Sequence, residues 1–221
     1  MAGLYVHVPF CRQKCVYCDF CSYPNRIDAA RKYFSCLKKE LTLYGAKEKK
    51  PFEIDTVFFG GGTPSAVDSS LITDFLEFVA KVCDLNGKAE ITVECNPDSA
   101  SQEKIFEFAA SGVNRLSIGL QTADDGTLKL LNRPHCLAQF ENVVGFAAAA
   151  GIDTHLFSAL GKTARERGRV ADRRGEHTLY VQTVLFPQRL CHRVDALAAV
   201  VLTGRRIDDK NVFQGTGPPF R

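Results

Sequence analysis

Short apolar runs alternate with longer amphipathic segments over the first 153 residues of the chain. Four of these runs have the length and composition of buried strands, namely residues 4–8, 54–59, 90–94 and 115–120. Between them, apolar side chains recur every three or four positions, as they do along one face of an α-helix. Strands that alternate with helices are typical of βαβ units joined in a parallel sheet. The pattern therefore predicts an α/β fold.

The same pattern predicts where the helices and a further strand lie. Apolar spacing alone indicates helices at residues 27–41, 71–82 and 137–150. Another helix is predicted to begin at a capping box formed by Ser99 and Gln102. Gly112 lies where the C-terminal cap of that helix belongs. A fifth strand is expected to start about Ile152.

The alternation stops near residue 153, and the composition changes at the same place. Residues 1–153 hold 16 Lys+Arg against 19 Asp+Glu, whereas residues 154–221 hold 12 against 6, and ten of those 12 are arginine. Residues 179–186 are typical of a strand and residues 196–202 of a short helix, but no βα rhythm joins them. We therefore predict a partial core domain at 1–153 and a divergent, poorly ordered, Arg-rich tail at 154–221. A frameshift or truncation near residues 153–156 is our hypothesis for the change.

Composition excludes several classes of protein. With 45% hydrophobic and 24% charged residues, the chain is not fully disordered, collagen-like or a coiled coil. No apolar run approaches the roughly 18 residues that a membrane span requires, and the first residues lack the pattern of a secretory signal. A soluble protein of the cytoplasm is therefore expected. The basic tail lacks the interleaved aromatic residues typical of nucleic-acid binding, so no nucleic-acid partner is expected.

Three closely spaced cysteines carry the strongest chemical signal. The chain has nine cysteines, which in a reducing compartment favours metal binding or reactive thiols over disulfides. Cys11, Cys15 and Cys18 directly follow the first predicted strand. Three thiolates at this spacing can hold three irons of a 4Fe-4S cube and leave the fourth iron open to a substrate or cofactor. A zinc knuckle completed by Cys21 is the alternative that the spacing also permits.

Glycine or polar residues follow each of the four predicted strands. The cysteines follow the first, a Gly-Gly-Gly-Thr-Pro run from Gly60 follows the second, Glu94 ends the third, and Gln121 follows the fourth. In parallel βα folds the carboxyl ends of the strands meet at one edge, where binding sites are built. Glycines let backbone N–H groups approach a ligand, and a glutamate accepts hydrogen bonds from hydroxyl or ammonium groups. We therefore expect one site at this edge.

Several motifs in the same order resemble a known superfamily. The Cys-x3-Cys-x2-Cys motif with Tyr17 before its third cysteine, and the Gly-Gly-Gly-Thr-Pro run, resemble the radical S-adenosylmethionine (SAM) superfamily. Residues 5–11, 58–65, 94–97 and 112–121 resemble the oxygen-independent coproporphyrinogen III oxidase family. Cys18 is followed by Asp19 and Phe20 rather than by Cys-x-Cys, which is more similar to the haem-chaperone branch, HemW. The resemblance covers residues 1 to about 153.

The resemblance implies an incomplete parallel (β/α) barrel of the radical SAM type, with about four βα units in residues 1–153. It implies that Cys11, Cys15 and Cys18 hold a 4Fe-4S cluster and that SAM binds the open iron. The cluster would then reduce the sulfonium of SAM and release a 5′-deoxyadenosyl radical, while the protein orients the reactants and excludes oxygen. The residues expected to contact the cofactor are Tyr5, Tyr17, Gly61, Gly62, Thr63, Glu94, Gln121 and Arg133. No acid–base catalytic residue is assigned.

The resemblance also implies partners. Haem or a porphyrin would bind, an unidentified acceptor protein would receive the haem, and a reductant such as a flavodoxin or ferredoxin would supply electrons. Decarboxylation of coproporphyrinogen is not expected in the haem-chaperone branch. The alternatives are an oxygen-independent coproporphyrinogen III oxidase and a non-catalytic module that binds zinc or nucleic acid.

Three residues have structural alternatives to a role in the site. His7, inside a predicted strand, is expected to be a hydrogen-bonded core group. Glu94 has a helix cap as its alternative, and Arg133 has a surface ion pair.

Overall fold

The structure is a computed structural model that describes residues 2–46, 51–157 and 200–203 of the 221-residue chain. The strands in this part are β1 (Ala2–Val8), β2 (Phe10–Cys11), β3 (Tyr23–Pro24), β4 (Glu53–Gly61), β5 (Asp84–Cys95), β6 (Arg115–Gly119), β7 (Asp153–Phe157) and β8 (Val200–Thr203). The helices are α1 (Ala30–Gly45), α2 (Ser69–Val82), α3 (Gln102–Ala110), α4 (Asp125–Leu130) and α5 (Leu137–Ala149). Two short 3-10 segments are Ile27–Ala29 and Pro64–Ala66.

Five strands form a parallel sheet in the order β7-β6-β5-β4-β1. This confirms the predicted α/β class and the parallel sheet. The four predicted strands coincide with β1, β4, β5 and β6, although β5 begins earlier, at Asp84. The fifth strand also forms, as β7, directly after Ile152. Because the strands are parallel, their carboxyl ends lie along one edge of the sheet.

The two faces of the sheet differ in chemistry. Side chains alternate along a strand, and in β1 Leu4 and Val6 belong to the apolar core whereas Tyr5 and His7 lie on the opposite face. The strand register places further residues on that second face, namely Phe58, Gly60, Thr92, Glu94 and Ser117. One face therefore packs against helices, and the other carries polar groups towards the site.

Aromatic side chains form much of the core between the sheet and the first helices. Phe34 of α1 and Phe75 of α2 pack edge to face with ring centroids 6.0 Å apart, and Phe75 packs in the same way on Phe59 of β4 at 6.1 Å. All three rings are at most 2% exposed. Each contributes about 2–3 kcal/mol of hydrophobic stabilisation. The packing holds the sheet in place beneath the loops that build the site.

The predicted capping box is wrong by two residues. Helix α3 does form, but its N-cap is Ser101, whose hydroxyl accepts a hydrogen bond from the Lys104 amide at 3.4 Å. Ser99 instead bonds across to Ser65, with the two hydroxyl oxygens 2.6 Å apart. Gly112 ends the helix as predicted, with φ of +97°. Ser99 cannot cap the helix because a tertiary partner occupies its hydroxyl.

Residues 200–203 correct one expectation for the C-terminal part. They form β8, which pairs antiparallel with β1 from Val6↔Val200 to Gly3↔Thr203, so the short helix predicted over 196–202 is wrong there. Consecutive valines favour strand geometry, and the uncovered edge of β1 offers a partner. The strand expected over 179–186 and most of the predicted tail lie outside the described residues. The division at residue 153 stays a prediction, and β7 continues across it.

Candidate functional site

A pocket at the carboxyl edge of the parallel sheet collects most of the predicted site residues. Those in its lining are Cys11, Cys15, Tyr17, Cys18, Gly61, Gly62, Thr63, Glu94, Gln121 and Arg133. Loops that follow β1, β4, β5 and β6 all contribute, as expected for parallel strands. Tyr5 is the predicted residue that does not line the pocket. Residues up to 122 positions apart in the sequence thus meet in one place.

The three cysteines share one side of the pocket. Cys11 is buried at the end of β2, and its Sγ lies 3.4 Å from Thr63 Oγ1. The Cys18 amide donates to the Cys15 carbonyl at 3.2 Å, which makes the tight turn that the Cys-x2-Cys spacing permits. Burial raises the pKa of the Cys18 thiol, and the neighbouring sulfurs of Cys15 and Cys11 raise it further. All three cysteines belong to the lining of one pocket, and a metal binds cysteine as the thiolate.

Hydrogen bonds on both sides hold the cysteine loop, residues 11–21, which carries the three predicted cluster ligands. On one side, Lys14 Nζ donates to the Phe20 carbonyl at 2.7 Å and to Ser22 Oγ at 2.9 Å. On the other side, Asn132 Nδ2 donates to the Lys14 carbonyl at 2.7 Å, and the Val16 amide donates to the Leu131 carbonyl at 3.3 Å. The loop therefore keeps its shape through protein contacts alone.

His7 ties the end of the cysteine loop to the sheet. Its Nε2 donates to the Cys21 carbonyl at 2.9 Å, which leaves Nδ1 as the acceptor from the Tyr5 hydroxyl at 3.2 Å. Burial lowers the pKa of His7, so the ring is neutral at pH 7. The expectation of a hydrogen-bonded structural histidine is confirmed. Tyr5 also stacks on Phe58 at 6.0 Å, so it supports the site from beneath the pocket.

The glycine turn, residues 60–62 at the end of β4, passes so close to neighbouring groups that side chains do not fit. A Cβ on Gly61, where φ is +110°, would lie 2.4 Å from the His7 ring. A Cβ on Gly62 would lie 2.8 Å from the Pro9 carbonyl carbon. The Gly62 amide donates to the Val8 carbonyl at 2.9 Å, so the turn lies directly against the start of the cysteine loop.

Glu94 and Gln121 line the pocket from the ends of β5 and β6. Glu94 Oε2 accepts a hydrogen bond from the Gly61 amide at 3.0 Å, so the carboxylate is anchored to the glycine turn rather than to a helix. Gln121 is 3% exposed and has φ of +64°, a left-handed conformation that turns the chain at the end of β6. An uncommon backbone conformation for a non-glycine residue is often found at binding sites.

Arg133 is buried rather than on the surface, so the surface ion pair considered for it is wrong. It is 9% exposed, and Nη2 donates to Asn96 Oδ1 at 2.7 Å and to the Gly119 carbonyl at 3.0 Å. Nη1 donates to Cys15 Sγ at 3.5 Å. Its Nε is buried without a hydrogen-bond partner among the described residues. The guanidinium therefore brings positive charge, and an unused donor, to the cysteines.

Tyr17 and Asn96 complete the lining in different ways. Tyr17 lies in the cysteine loop, and burial raises the pKa of its phenol, which stays protonated at neutral pH. Asn96 joins two predicted residues, Thr63 and Arg133, yet sequence analysis did not single it out as a site residue. Its position just after a strand, in the Glu-Cys-Asn-Pro motif, was the available signal.

The donor set fits an iron–sulfur cluster better than a single metal ion. In the described part of the chain, no group of three or more His, Cys, Asp or Glu side chains converges on one ion position. Zinc needs its ligands around one point at about 2.0–2.3 Å, whereas each iron of a 4Fe-4S cube takes its own thiolate. Cys21 does not line the pocket, and its Sγ instead faces the Tyr23 hydroxyl at 4.0 Å. The zinc knuckle thus gains no support.

The glycine turn and Arg133 also fit a bound cofactor. Gly61 and Gly62 allow the turn to pack closely against His7 and the Pro9 backbone, and their own backbones line the same pocket as the cysteines. The buried Nε of Arg133 needs an acceptor that the described residues do not supply. A ligand with carboxylate or hydroxyl groups beside the sulfurs satisfies it.

Comparison with known proteins defines the family. A model of the radical SAM superfamily matches residues 5–172, and the chain belongs to this superfamily. The chain is 45% identical over 139 residues to "Radical S-adenosyl methionine domain-containing protein 1, mitochondrial" of Bos taurus, a match that covers 61% of this chain and 30% of that protein. It is 35% identical over 136 residues to "Heme chaperone HemW" of Bacillus subtilis, covering 61% and 36% respectively.

A solved structure shares the fold. Coproporphyrinogen III oxidase (HemN) from Escherichia coli, described as a radical SAM enzyme, superposes with a TM-score of 0.66 at 24% identity over 70% of this chain and 36% of that one. The chain thus spans about a third of the length of the relatives it matches. Within the described residues, no helix is both long and apolar enough to cross a membrane.

Proposed function

We propose that the pocket binds a 4Fe-4S cluster on Cys11, Cys15 and Cys18, with SAM on the cluster's fourth iron, in a HemW-like protein of haem metabolism. The observation that carries the proposal is the meeting of the cysteine loop, the glycine turn and Arg133 in one pocket. Membership of the radical SAM superfamily supports the same cofactors.

Charge in the pocket suits a cluster held by three thiolates. Arg133 Nη1 donates to Cys15 Sγ at 3.5 Å, and the positive charge of Lys14 lowers the pKa of Cys18 against the effect of burial. Two cations thus offset part of the negative charge that three thiolates and a cluster bring into a half-buried site. When bound, the cluster would supply the electron that cleaves SAM.

The remaining predicted residues are proposed to hold SAM. The Gly61 and Gly62 backbones line the pocket beside the cysteines and would contact it, and the Arg133 guanidinium would donate to one of its oxygen atoms. Glu94, which accepts from the Gly61 amide, and Gln121 provide further polar groups in the lining of the pocket. Tyr5 acts indirectly, because its hydroxyl holds His7 beneath the glycine turn.

The haem-chaperone role is supported by relatives rather than by a described haem site. HemW proteins of Bacillus subtilis and Escherichia coli are 35% and 34% identical to this chain over the matched residues. We propose that the protein binds haem and passes it to an acceptor protein, with electrons from a flavodoxin or ferredoxin, and does not decarboxylate coproporphyrinogen. The absence of Cys-x-Cys after Cys18 supports this branch over the oxidase.

We also propose that the protein works in a reducing compartment, the cytoplasm, because all eight cysteines of the described residues are free thiols. The Bos taurus relative is named mitochondrial, so subcellular fractionation distinguishes the two compartments. The division at residue 153, with a frameshift or truncation, is proposed from the change to arginine-rich composition, the loss of the βα pattern and the end of the family resemblance at the same place. Sequencing of the transcript together with tail peptides tests it, and an uninterrupted frame contradicts it.

Anaerobic reconstitution with iron and sulfide tests the cluster. The wild-type protein should turn brown and hold iron and acid-labile sulfide in the ratio of a 4Fe-4S cluster. Cys15→Ala should lose the cluster, while Cys21→Ala, which removes a thiol of the same loop outside the pocket, should retain it. Addition of SAM should alter the electron paramagnetic resonance spectrum of the reduced cluster. A protein that holds one zinc and no sulfide would overturn the proposal.

A haem titration and an activity assay then separate the two haem-related functions. A chaperone shows a haem absorbance change that saturates and yields no protoporphyrinogen. An oxidase converts coproporphyrinogen to protoporphyrinogen with SAM under anoxic conditions, and that result would replace the chaperone role with the alternative.

A further inference from the structure

A chain of hydrogen bonds connects two of the proposed cluster ligands around the wall of the pocket. Cys11 Sγ lies 3.4 Å from Thr63 Oγ1, and Thr63 Oγ1 lies 3.2 Å from Asn96 Nδ2. Asn96 Oδ1 lies 2.7 Å from Arg133 Nη2, and Arg133 Nη1 lies 3.5 Å from Cys15 Sγ. Asn96 lies at the centre of this chain, between the Thr63 hydroxyl, which contacts Cys11, and the Arg133 guanidinium, which contacts Cys15.

Arg133 fixes the orientation of the Asn96 amide in this chain. A guanidinium has only donors, so the Asn96 atom that faces it must be the carbonyl oxygen, Oδ1. The amide nitrogen of Asn96 therefore faces Thr63 and donates to its hydroxyl oxygen. The 3.4 Å distance between Cys11 Sγ and Thr63 Oγ1 does not show which of the two atoms is the donor. Because Asn96 presents a donor to Thr63, it offers no acceptor that competes for the hydroxyl hydrogen, and a Cys11 thiolate, which has no hydrogen of its own, accepts that hydrogen.

Asn96 is itself held in place, so it can impose this direction. Its backbone amide donates to Ser65 Oγ at 3.0 Å, and its carbonyl accepts from Ser99 Oγ at 3.1 Å. Thr63 is 5% exposed and Arg133 is 9% exposed, so water competes little for either donor. The two residues share no direct hydrogen bond, and the Asn96 side chain bonds to both.

We propose that Asn96 is a positioning residue that sets the reduction potential of the cluster by directing one hydrogen bond to each of two cysteine sulfurs. Hydrogen bonds to the sulfurs of an iron–sulfur cluster raise its reduction potential, because they stabilise the more negative reduced form. The proposal rests on the proposed function, since it requires the cluster at Cys11, Cys15 and Cys18. It assigns to Asn96 a role that depends on the polarity of its amide and not on its size.

Two substitutions separate that polarity from the shape of the site. Asn96→Asp keeps an acceptor for Arg133 but replaces the donor that faces Thr63 by an acceptor, so the Thr63 hydrogen turns from Cys11 to the new carboxylate. Thr63→Val removes the hydroxyl while it preserves the branched shape. Thr63→Ser retains the hydroxyl and is the matched control.

The test is a potentiometric titration of the reconstituted cluster, followed by electron paramagnetic resonance. Thr63→Val should shift the reduction equilibrium about tenfold towards the oxidised cluster, which is about 59 mV more negative for one electron. Thr63→Ser should retain the wild-type potential. Asn96→Asp should also shift the potential to more negative values. In the Asn96→Asp background, Thr63→Val should cause no further shift, because Thr63 no longer donates to Cys11.

The outcomes distinguish this inference from the function on which it rests. Equal shifts from Thr63→Val in both backgrounds, with normal iron content and circular dichroism, would refute the role of Asn96 while leaving the cluster site intact. An unchanged potential in Thr63→Val would refute the hydrogen bond to Cys11. A wild-type protein that binds no cluster would overturn the proposed function, and the inference with it.

Discussion

Replacement of Gly62 by alanine should detach the glycine turn from the cysteine loop. A Cβ at this position would lie 2.8 Å from the Pro9 carbonyl carbon and 2.9 Å from the backbone nitrogen and oxygen of Phe10. All three are main-chain atoms of the segment that enters the cysteine loop, so no side-chain rotation relieves the overlap. Either the turn or the cysteine loop must move.

The energetic cost of this movement has two sources, steric overlap and weakened hydrogen bonds. Overpacking in a well-packed region costs about 1–3 kcal/mol. The displaced turn also weakens the hydrogen bonds from the Gly62 amide to the Val8 carbonyl, at 2.9 Å, and from the Thr63 amide to the Phe10 carbonyl, at 2.8 Å. Each is worth roughly 1 kcal/mol. The free energy of unfolding should therefore fall by about 2–4 kcal/mol, a large part of the usual 5–15 kcal/mol.

Urea denaturation of the reduced, metal-free protein under anaerobic conditions measures this change. The matched control is Gly145→Ala, in the interior of α5, where a Cβ meets no atom within 4 Å. That substitution should raise the free energy of unfolding by about 0.5–1 kcal/mol, since alanine favours a helix over glycine. Gly62→Ala should also reduce the iron retained after reconstitution. A Gly62→Ala protein as stable as wild type, with full iron content, would show that the close approach does not exist.

Two further perturbations test the packing around the site. Burial, followed by the positive charge of Arg133, lowers the pKa of His135 to about 4 in the folded protein. As the pH falls, His135 is therefore protonated in the unfolded state before it is protonated in the folded state. The free energy of unfolding should fall by up to about 3 kcal/mol as the pH drops from 6.5 to 4. Urea titrations of wild type and His135→Gln across this range measure the difference, and parallel pH profiles would contradict it. Ser101→Ala should lower the free energy of unfolding by about 1 kcal/mol through loss of the α3 cap. Ser101→Asp, which retains an acceptor, should be close to wild type, and a thermal melt that ranks the two variants equally would refute the assignment of the cap.

The location of the site could be predicted from sequence because it depends on local patterns. Apolar runs marked the strands, and in a parallel sheet the residues that follow them are brought to one edge. Thus Gly62, Glu94 and Gln121 reach the same pocket as Cys11, although no local signal links them.

The parts that sequence analysis missed depend on contacts between distant residues. The choice of Ser101 over Ser99 as the α3 cap follows from a hydrogen bond of Ser99 to Ser65, 34 positions away. Asn96 has a role only because Arg133, 37 positions later, folds back onto it. The alternation of side chains along β1 predicts which face of the sheet Tyr5 lies on, but not whether Tyr5 reaches the pocket. Tyr5 lies below the pocket because of its position along β1.

Helix α4 escaped prediction for a different reason. It has six residues, and Leu128 is the one that is buried, so it presents no repeating apolar face. Its beginning is instead stabilised locally by Asp124, whose carboxylate accepts a hydrogen bond from the Thr127 amide at 2.7 Å. Such a short helix is specified by its cap and by the loop that carries Arg133, and not by periodicity.

Strand β8 connects residues 200–203 to the strand that precedes the cysteine loop. β1 leads directly into that loop, and its outer backbone edge is the one that residues 200–203 occupy. A chain that ended before residue 200 would leave these main-chain groups open to a second molecule, which is how uncovered edges begin to associate. Residues 200–203, which belong to the arginine-rich part of the sequence, therefore shield the edge of the strand that precedes the Cys-x3-Cys-x2-Cys motif.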